Sequence, residues 1–124
     1  MTTNSEMVSD FCEAWPGLNR EEIVARFTDD AVYRNIPFPG EIIGGAGVAD
    51  VLLPISGKLA GIEAKVLNVA ERGGLVFAER VEVFRRSTGE VFELPVVGVF
   101  ELRDGRISAW RDYFDGEQVR PAFA

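Results

Sequence analysis

Histidine is absent from this chain of 124 residues. That removes a Ser-His-Asp triad, a Cys-His dyad and the usual His-bearing zinc sites. It also removes the hydrolases that pair a nucleophilic carboxylate with a His-activated water. Acid–base chemistry is left to carboxylates, tyrosine, lysine or the one cysteine. That cysteine, Cys12, has no partner for an intrachain disulfide, which fits a reducing compartment. It falls on the apolar side of an expected helix and reads as a small core residue. Basic excess is missing too. The formal net charge is −7, which argues against nucleic acid or an anionic membrane as partner. No apolar run approaches the roughly 18 residues needed to cross a bilayer. Residues 1–10 lack the basic and apolar regions of a secretory signal, so the expected location is cytoplasmic.

What is present suits one globular domain over residues 1–124. Hydrophobic residues make up 47% and charged residues 27%, which is ordinary globular usage. Met7, Val8, Phe11, Cys12 and Trp15 recur at helical spacing and predict a helix from Asn4 to Trp15. Pro16-Gly17 stops it. Asn19 with Glu22 resembles a capping box and starts a second helix. A short strand is expected from Ala31 to Ile36, then a loop at Pro37-Phe38-Pro39-Gly40. A third helix should run from Val48 to Leu59, with Pro54 causing a kink or a late start.

The second half reads as four long strands: Gly61–Glu71, Leu75–Arg86, Glu90–Leu102 and Arg106–Phe114. Short glycine-containing links join them, as in hairpins. The expected fold is α+β: a curved, cone-shaped antiparallel sheet with the N-terminal helices packed over one face and the short strand at an edge. Pro95 and Gly98 suggest a bulge or bend. The tail after Gly116 reads as irregular. A cone of this kind has an open mouth and an apolar floor suited to a small ligand.

Three polar pairs interrupt the apolar strands: Tyr33 with Asn35, Arg80 with Glu82, and Trp110 with Asp112. Spacing i, i+2 puts each pair on one face of its strand. In the second long strand that face is Val76, Ala78, Arg80, Glu82 and Phe84. If these faces converge, an arginine holds two carboxylates in an apolar cavity. Burial would raise one acid and Arg80 would keep the other ionised, which separates an acid from a base. Other readings are open at this level: a surface ion pair for Arg80 and Glu82, edge and turn chemistry for Tyr33 and Asn35, plain core packing for Trp110. Leu75, Phe77, Val81 and Val83 make the opposite face of the strand equally apolar.

The order of these elements resembles the limonene-1,2-epoxide hydrolase family. The resemblance rests on Tyr33-Arg34-Asn35, Glu79-Arg80-Val81-Glu82-Val83, Gly98-Val99-Phe100-Glu101-Leu102, Asp104-Gly105-Arg106-Ile107 and Trp110-Arg111-Asp112-Tyr113-Phe114-Asp115, and runs from about Glu21 to Asp115. It implies the cone fold of the nuclear-transport-factor-2-like and ketosteroid-isomerase superfamily. It further implies a homodimer, no cofactor, no metal, and a small lipophilic epoxide hydrolysed to a vicinal diol. By that resemblance Asp112 is the base that activates water. Tyr33 and Asn35 help hold the water, Arg80 bridges the acids, and Glu82 protonates the epoxide oxygen. Trp110 would line the pocket with Val, Leu and Phe from the strands.

One position departs from the family. Its acid is typically Asp, and here Glu82 adds a methylene. A shift on the order of 1 Å can lower a rate by about 10²-fold, so the departure implies a shifted pocket, another substrate or lost activity. The same fold also admits a ketosteroid-isomerase or polyketide-cyclase type of enzyme, or a lipophile-binding module without catalysis.

Overall fold

The computed structural model describes residues 2–124. Helix α1 (Asn4–Ala14) begins at Thr3, whose side chain accepts from the Glu6 amide at 3.1 Å. It buries Val8, Phe11 and Cys12. A 3₁₀ turn at Trp15–Gly17 ends it, and α2 (Arg20–Val24) starts with the expected Asn19–Glu22 capping box.

Strand β1 is Phe27–Asn35, longer than its sequence pattern suggests, and β2 is only Ile42–Ile43. Helix α3 spans Gly44–Lys58, so it starts four residues before Val48 and runs on through Pro54. Its first turn presses on the preceding chain. A Cβ at Gly44, where φ is +77°, would meet the Asp29 carbonyl oxygen at 2.9 Å, and one at Gly45 would meet the Val24 backbone at 2.9 Å. Glycine there lets the helix begin early and close.

Strands β3 (Gly61–Arg72), β4 (Leu75–Arg85), β5 (Val91–Arg103) and β6 (Arg106–Tyr113) form the expected meander. The six-stranded sheet is open, in the order β2-β1-β6-β5-β4-β3. Two expectations change. β1 is not an edge strand, because β2 covers it, and β1 runs parallel to β6 while every other pair is antiparallel. The register irregularities lie at Phe27–Val32, Val66–Asn68 and Glu101–Leu102. The β4–β5 ladder passes Pro95 and Gly98 without a shift.

The tail is also ordered locally. Asp115 caps α4 (Gly116–Val119), and a 3₁₀ turn follows at Arg120–Phe123. The helices cover the inner face of the sheet, where Phe11, Trp15, Ile23, Phe27, Phe100 and Trp110 belong to the main core. A smaller cluster gathers Leu59, Phe84, Leu94, Val96 and Ala122 near the tail. No described helix is long and apolar enough to cross a membrane.

Candidate active site

The alternation in β4 resolves in favour of the polar face: Val76, Ala78, Arg80, Glu82 and Phe84 are buried, and Phe77 is exposed. The sheet register explains how the pairs meet. One rung runs Asn35, Asp112, Gly98, Ala78 across β1, β6, β5 and β4; the neighbouring rung runs Tyr33, Trp110, Phe100, Val76. The parallel β1–β6 pairing therefore sets Asn35 beside Asp112 and Tyr33 beside Trp110. The rings of Tyr33 and Trp110 stack with centroids 4.2 Å apart.

Gly98 and Ala78 leave a hollow in the first rung, and the Arg80 guanidinium fills it. A Cβ at Gly98 would stand 2.8 Å from Arg80 Nη1, 2.8 Å from Asp112 Oδ1 and 2.7 Å from Phe100 Cε1. The sequence marks Gly98 as a bend, but the strand is regular there; the glycine makes room for an ion pair. Arg80 Nη2 donates to Asp112 Oδ2 at 2.5 Å, and Arg80 Nε donates to Glu82 Oε2 at 3.4 Å. The arginine thus holds the two acids unequally. Asp112 accepts a second bond, 2.6 Å, from Trp110 Nε1. Tyr33 donates its hydroxyl to Asn35 Oδ1 at 3.2 Å, which leaves the Asn35 amide NH₂ as a donor beside Asp112.

Burial sharpens the inequality. Arg80, Asp112 and Glu82 are 1%, 4% and 7% exposed. Burial works against the Arg80 charge, but Asp112 and Glu82 together hold its pKa well above the ordinary arginine value. Glu82 is pushed up from 4.5, first by burial and then by the Asp112 charge, with Arg80 opposing. Tyr33 is pushed up by burial and by Asp112, so its hydroxyl stays protonated. Cys12 lies beneath the site, and burial pushes its thiol up to about 12. It is the inert core residue its helix position predicts. Among the described residues, no group of three or more Cys, Asp or Glu side chains is placed to hold a metal ion.

A cavity of about 450 Å³ opens over this floor. Asp112, Glu82, Tyr33, Asn35 and Trp110 line it, while Arg80 lies behind them. Phe84, Leu94 and Phe114 supply the strand-side wall. The helix-side wall is Trp15, Leu52 and Ile55, and the tail adds Val119, Phe123 and others. Sequence reasoning names the floor and misses these last two groups. Trp15 had one available signal, since it closes the apolar stripe of α1; the tail had none. Arg86 fixes the tail by donating to the carbonyls of Ala124 at 2.9 Å and Pro121 at 3.4 Å. Edge-on pairs Phe38–Phe114 and Phe84–Phe123 flank the opening.

Several known proteins share this arrangement of chain. A family model described as the limonene-1,2-epoxide hydrolase catalytic domain matches residues 2–122. The epoxide hydrolase EphG of Mycobacterium tuberculosis strain H37Rv is 36% identical over 108 residues, covering 87% of this chain and 70% of that protein. The solved structure of an M. tuberculosis epoxide hydrolase of the same type superposes with a TM-score of 0.80 at 32% identity, covering 95% of this chain and 86% of that one. A protein with a ketosteroid-isomerase-like fold from Catenulispora acidiphila gives a TM-score of 0.83 at 19% identity, over 94% of this chain and 91% of its own. IdmH, described as a putative polyketide cyclase from Streptomyces antibioticus, gives 0.82 at 18% identity, over 98% and 99%. The last two share the fold. With a family model covering nearly all of its length and a relative at 36% identity, this chain belongs to the limonene-1,2-epoxide hydrolase family and is an enzyme of the epoxide hydrolase class.

Proposed function

We propose that this enzyme adds water to a small or medium lipophilic epoxide in one step, by general acid and base catalysis and without a cofactor. Asp112 is the base. It accepts from Arg80 and Trp110, and the Asn35 amide and Tyr33 flank the place where a water would sit. Glu82 is the acid. Burial favours its protonated form, and its bond to Arg80 is the longer one. The base takes a proton from water as the water attacks one epoxide carbon. The C–O bond breaks, and Glu82 delivers its proton to the leaving oxygen. Asp112 gains a proton as Glu82 loses one, so the total charge is unchanged, and Arg80, which borders both acids, offsets the negative charge at either end of the transfer. The apolar wall excludes bulk water and favours a lipophilic substrate.

The observation that carries this reading is the unequal grip of Arg80 on two buried carboxylates that share one cavity. It fits a base and an acid better than it fits a ketosteroid-isomerase type of proton shuttle, which needs one carboxylate base. The family resemblance also implies a homodimer. The outer sheet face, with Phe77, Val97 and Tyr113 exposed by 37%, 41% and 45%, is the surface best suited to a second copy. A reducing, cytoplasmic setting suits the single buried cysteine. The test is a panel of epoxides with purified enzyme, read as diol formed. Diol that disappears in Asp112→Asn supports the assignment; no diol from any substrate, or diol undiminished in that variant, contradicts it.

A further inference from the structure

Trp15 lines the same cavity as Glu82 and is only 3% exposed. Its indole Nε1 is buried without a hydrogen-bond partner. The other tryptophan, Trp110, donates to Asp112 at 2.6 Å. Buried N–H groups are rarely left unpaired, because the desolvation is not returned. An indole can only donate, so its partner must be an acceptor. Nothing in the water-activating half of the site needs it, since Asp112 already has Arg80 and Trp110.

The acceptor near Trp15 is Glu82. Its carboxyl reaches Arg80 Nε at 3.4 Å, a long contact that leaves it short of donors. Trp15 lines the cavity with it, and its indole N–H favours the ionised form of Glu82 without completing a hydrogen bond in the resting arrangement. The groups facing Glu82 from the packed elements are Arg80 on β4, Asp112 on β6, Tyr33 on β1 and Cys12 on α1. Arg80 is the one cation among them, and it is engaged first with Asp112.

We infer that Trp15 is a positioning residue for the general acid: its indole N–H receives the Glu82 carboxylate when Glu82 gives up its proton. This rests on the assignment of Glu82 as the acid. It also gives the longer side chain a physical setting. A glutamate carried one methylene farther than the family's usual aspartate meets a second donor beside Arg80 in the residue closing α1. At the transfer the Glu82 O–H bond breaks, the proton forms the O–H bond of the product alcohol, and the new carboxylate keeps the Arg80 N–H and gains that of Trp15.

The test follows the two indole ¹H–¹⁵N resonances of the intact enzyme against pH, assigned with Trp15→Phe. The expected result is a Trp15 resonance that titrates with a midpoint above 4.5, the ordinary glutamate value, and becomes flat in Glu82→Gln. A Trp15 resonance indifferent to pH, or one that titrates unchanged in Glu82→Gln, overturns the inference. With cyclohexene oxide as substrate, Trp15→Phe should lower kcat about tenfold, the size of one charge-assisted hydrogen bond, and move the alkaline limb of the rate profile to higher pH. A fall in rate with that limb unmoved would mean a packing role only and also overturns it. The resonance titration needs no turnover, so an enzyme inactive on every epoxide would contradict the hydrolase reading and leave this inference to be decided by the spectrum.

Discussion

At the floor of the cavity Arg80, Tyr33, Trp110 and Asp112 are each at most 4% exposed, whereas at its mouth Phe38 and Phe123 are 41% and 39% exposed. The floor is set by strand register. Each polar group there has its neighbour fixed by a ladder two residues wide, and a single ångström of slip would move it off its partner. The mouth is set by short helical turns, two edge-on phenylalanine pairs and one arginine holding backbone carbonyls. Such contacts yield locally at small cost. The difference separates chemistry from selection: changes at the floor should act on kcat, and changes at the mouth on KM and substrate range.

The largest effect should come from Asp112→Asn. Removing the base should lower kcat by about 10³-fold or more, within the usual range for general acid–base groups. It also leaves Arg80 facing a neutral amide, so some loss of stability should show in a thermal melt. A kcat loss below about tenfold would mean that the floor is not where water is activated.

Glu82→Gln should come next, near 10²-fold in kcat, and should abolish the alkaline limb of the profile. The sign follows from the raised pKa. The acid works when protonated, so activity falls as pH rises through the Glu82 value, which lies above 4.5. Stability has the same direction. Between 4.5 and the raised value the folded state binds more protons than the unfolded one, so the wild type loses stability as pH rises across that window. The Gln variant should lose that slope, as denaturant titrations at several pH values would show.

Gly98→Ala tests whether the hollow matters. Its Cβ must push apart Arg80, Asp112 and Phe100, so kcat should fall by roughly 10²-fold and stability by about 1–3 kcal/mol. Pairing it with Phe100→Leu relieves the clash with the ring alone. If activity returns in the double variant, the glycine serves core packing and not the ion pair. Gly61→Ala, where the nearest contact is 3.5 Å to an exposed Arg85 side chain, is the matched control and should cost little.

The smallest effect is expected at the mouth. Phe123→Ala should change KM for bulky epoxides by about threefold to tenfold and leave kcat for a compact one nearly unchanged. A matching fall in kcat for both substrates would erase the distinction between floor and mouth.

The floor was also the part legible in the sequence. Polar residues at i, i+2 spacing in apolar strands put each pair, Tyr33 with Asn35, Arg80 with Glu82 and Trp110 with Asp112, on one face of its strand from pattern alone. The ambiguity in β4 needed the structure, because Phe77, Val81 and Val83 give the outer face the same hydrophobicity as the inner one. Pairing between distant strands leaves no local trace. The parallel contact of β1 with β6 and the covering strand Ile42–Ile43 were therefore not readable, although the first of these puts Asn35 beside Asp112. Gly98 was visible as an oddity, but its cause lies on two other strands. The tail reaches the cavity with Val119 and Phe123, and is anchored by Ala122, buried in the small cluster, and by Arg86 on a different element. Neither signal is present in residues 116–124 taken alone.

The central claim is direct attack by water under the control of Asp112, and a single turnover in ¹⁸O-water tests it most directly. With enzyme in excess over epoxide, the account predicts a diol carrying one ¹⁸O atom from the first turnover and no label in the Asp112 or Glu82 carboxyl groups. A first-turnover diol carrying only ¹⁶O, with its new oxygen drawn from a protein carboxylate, would contradict it.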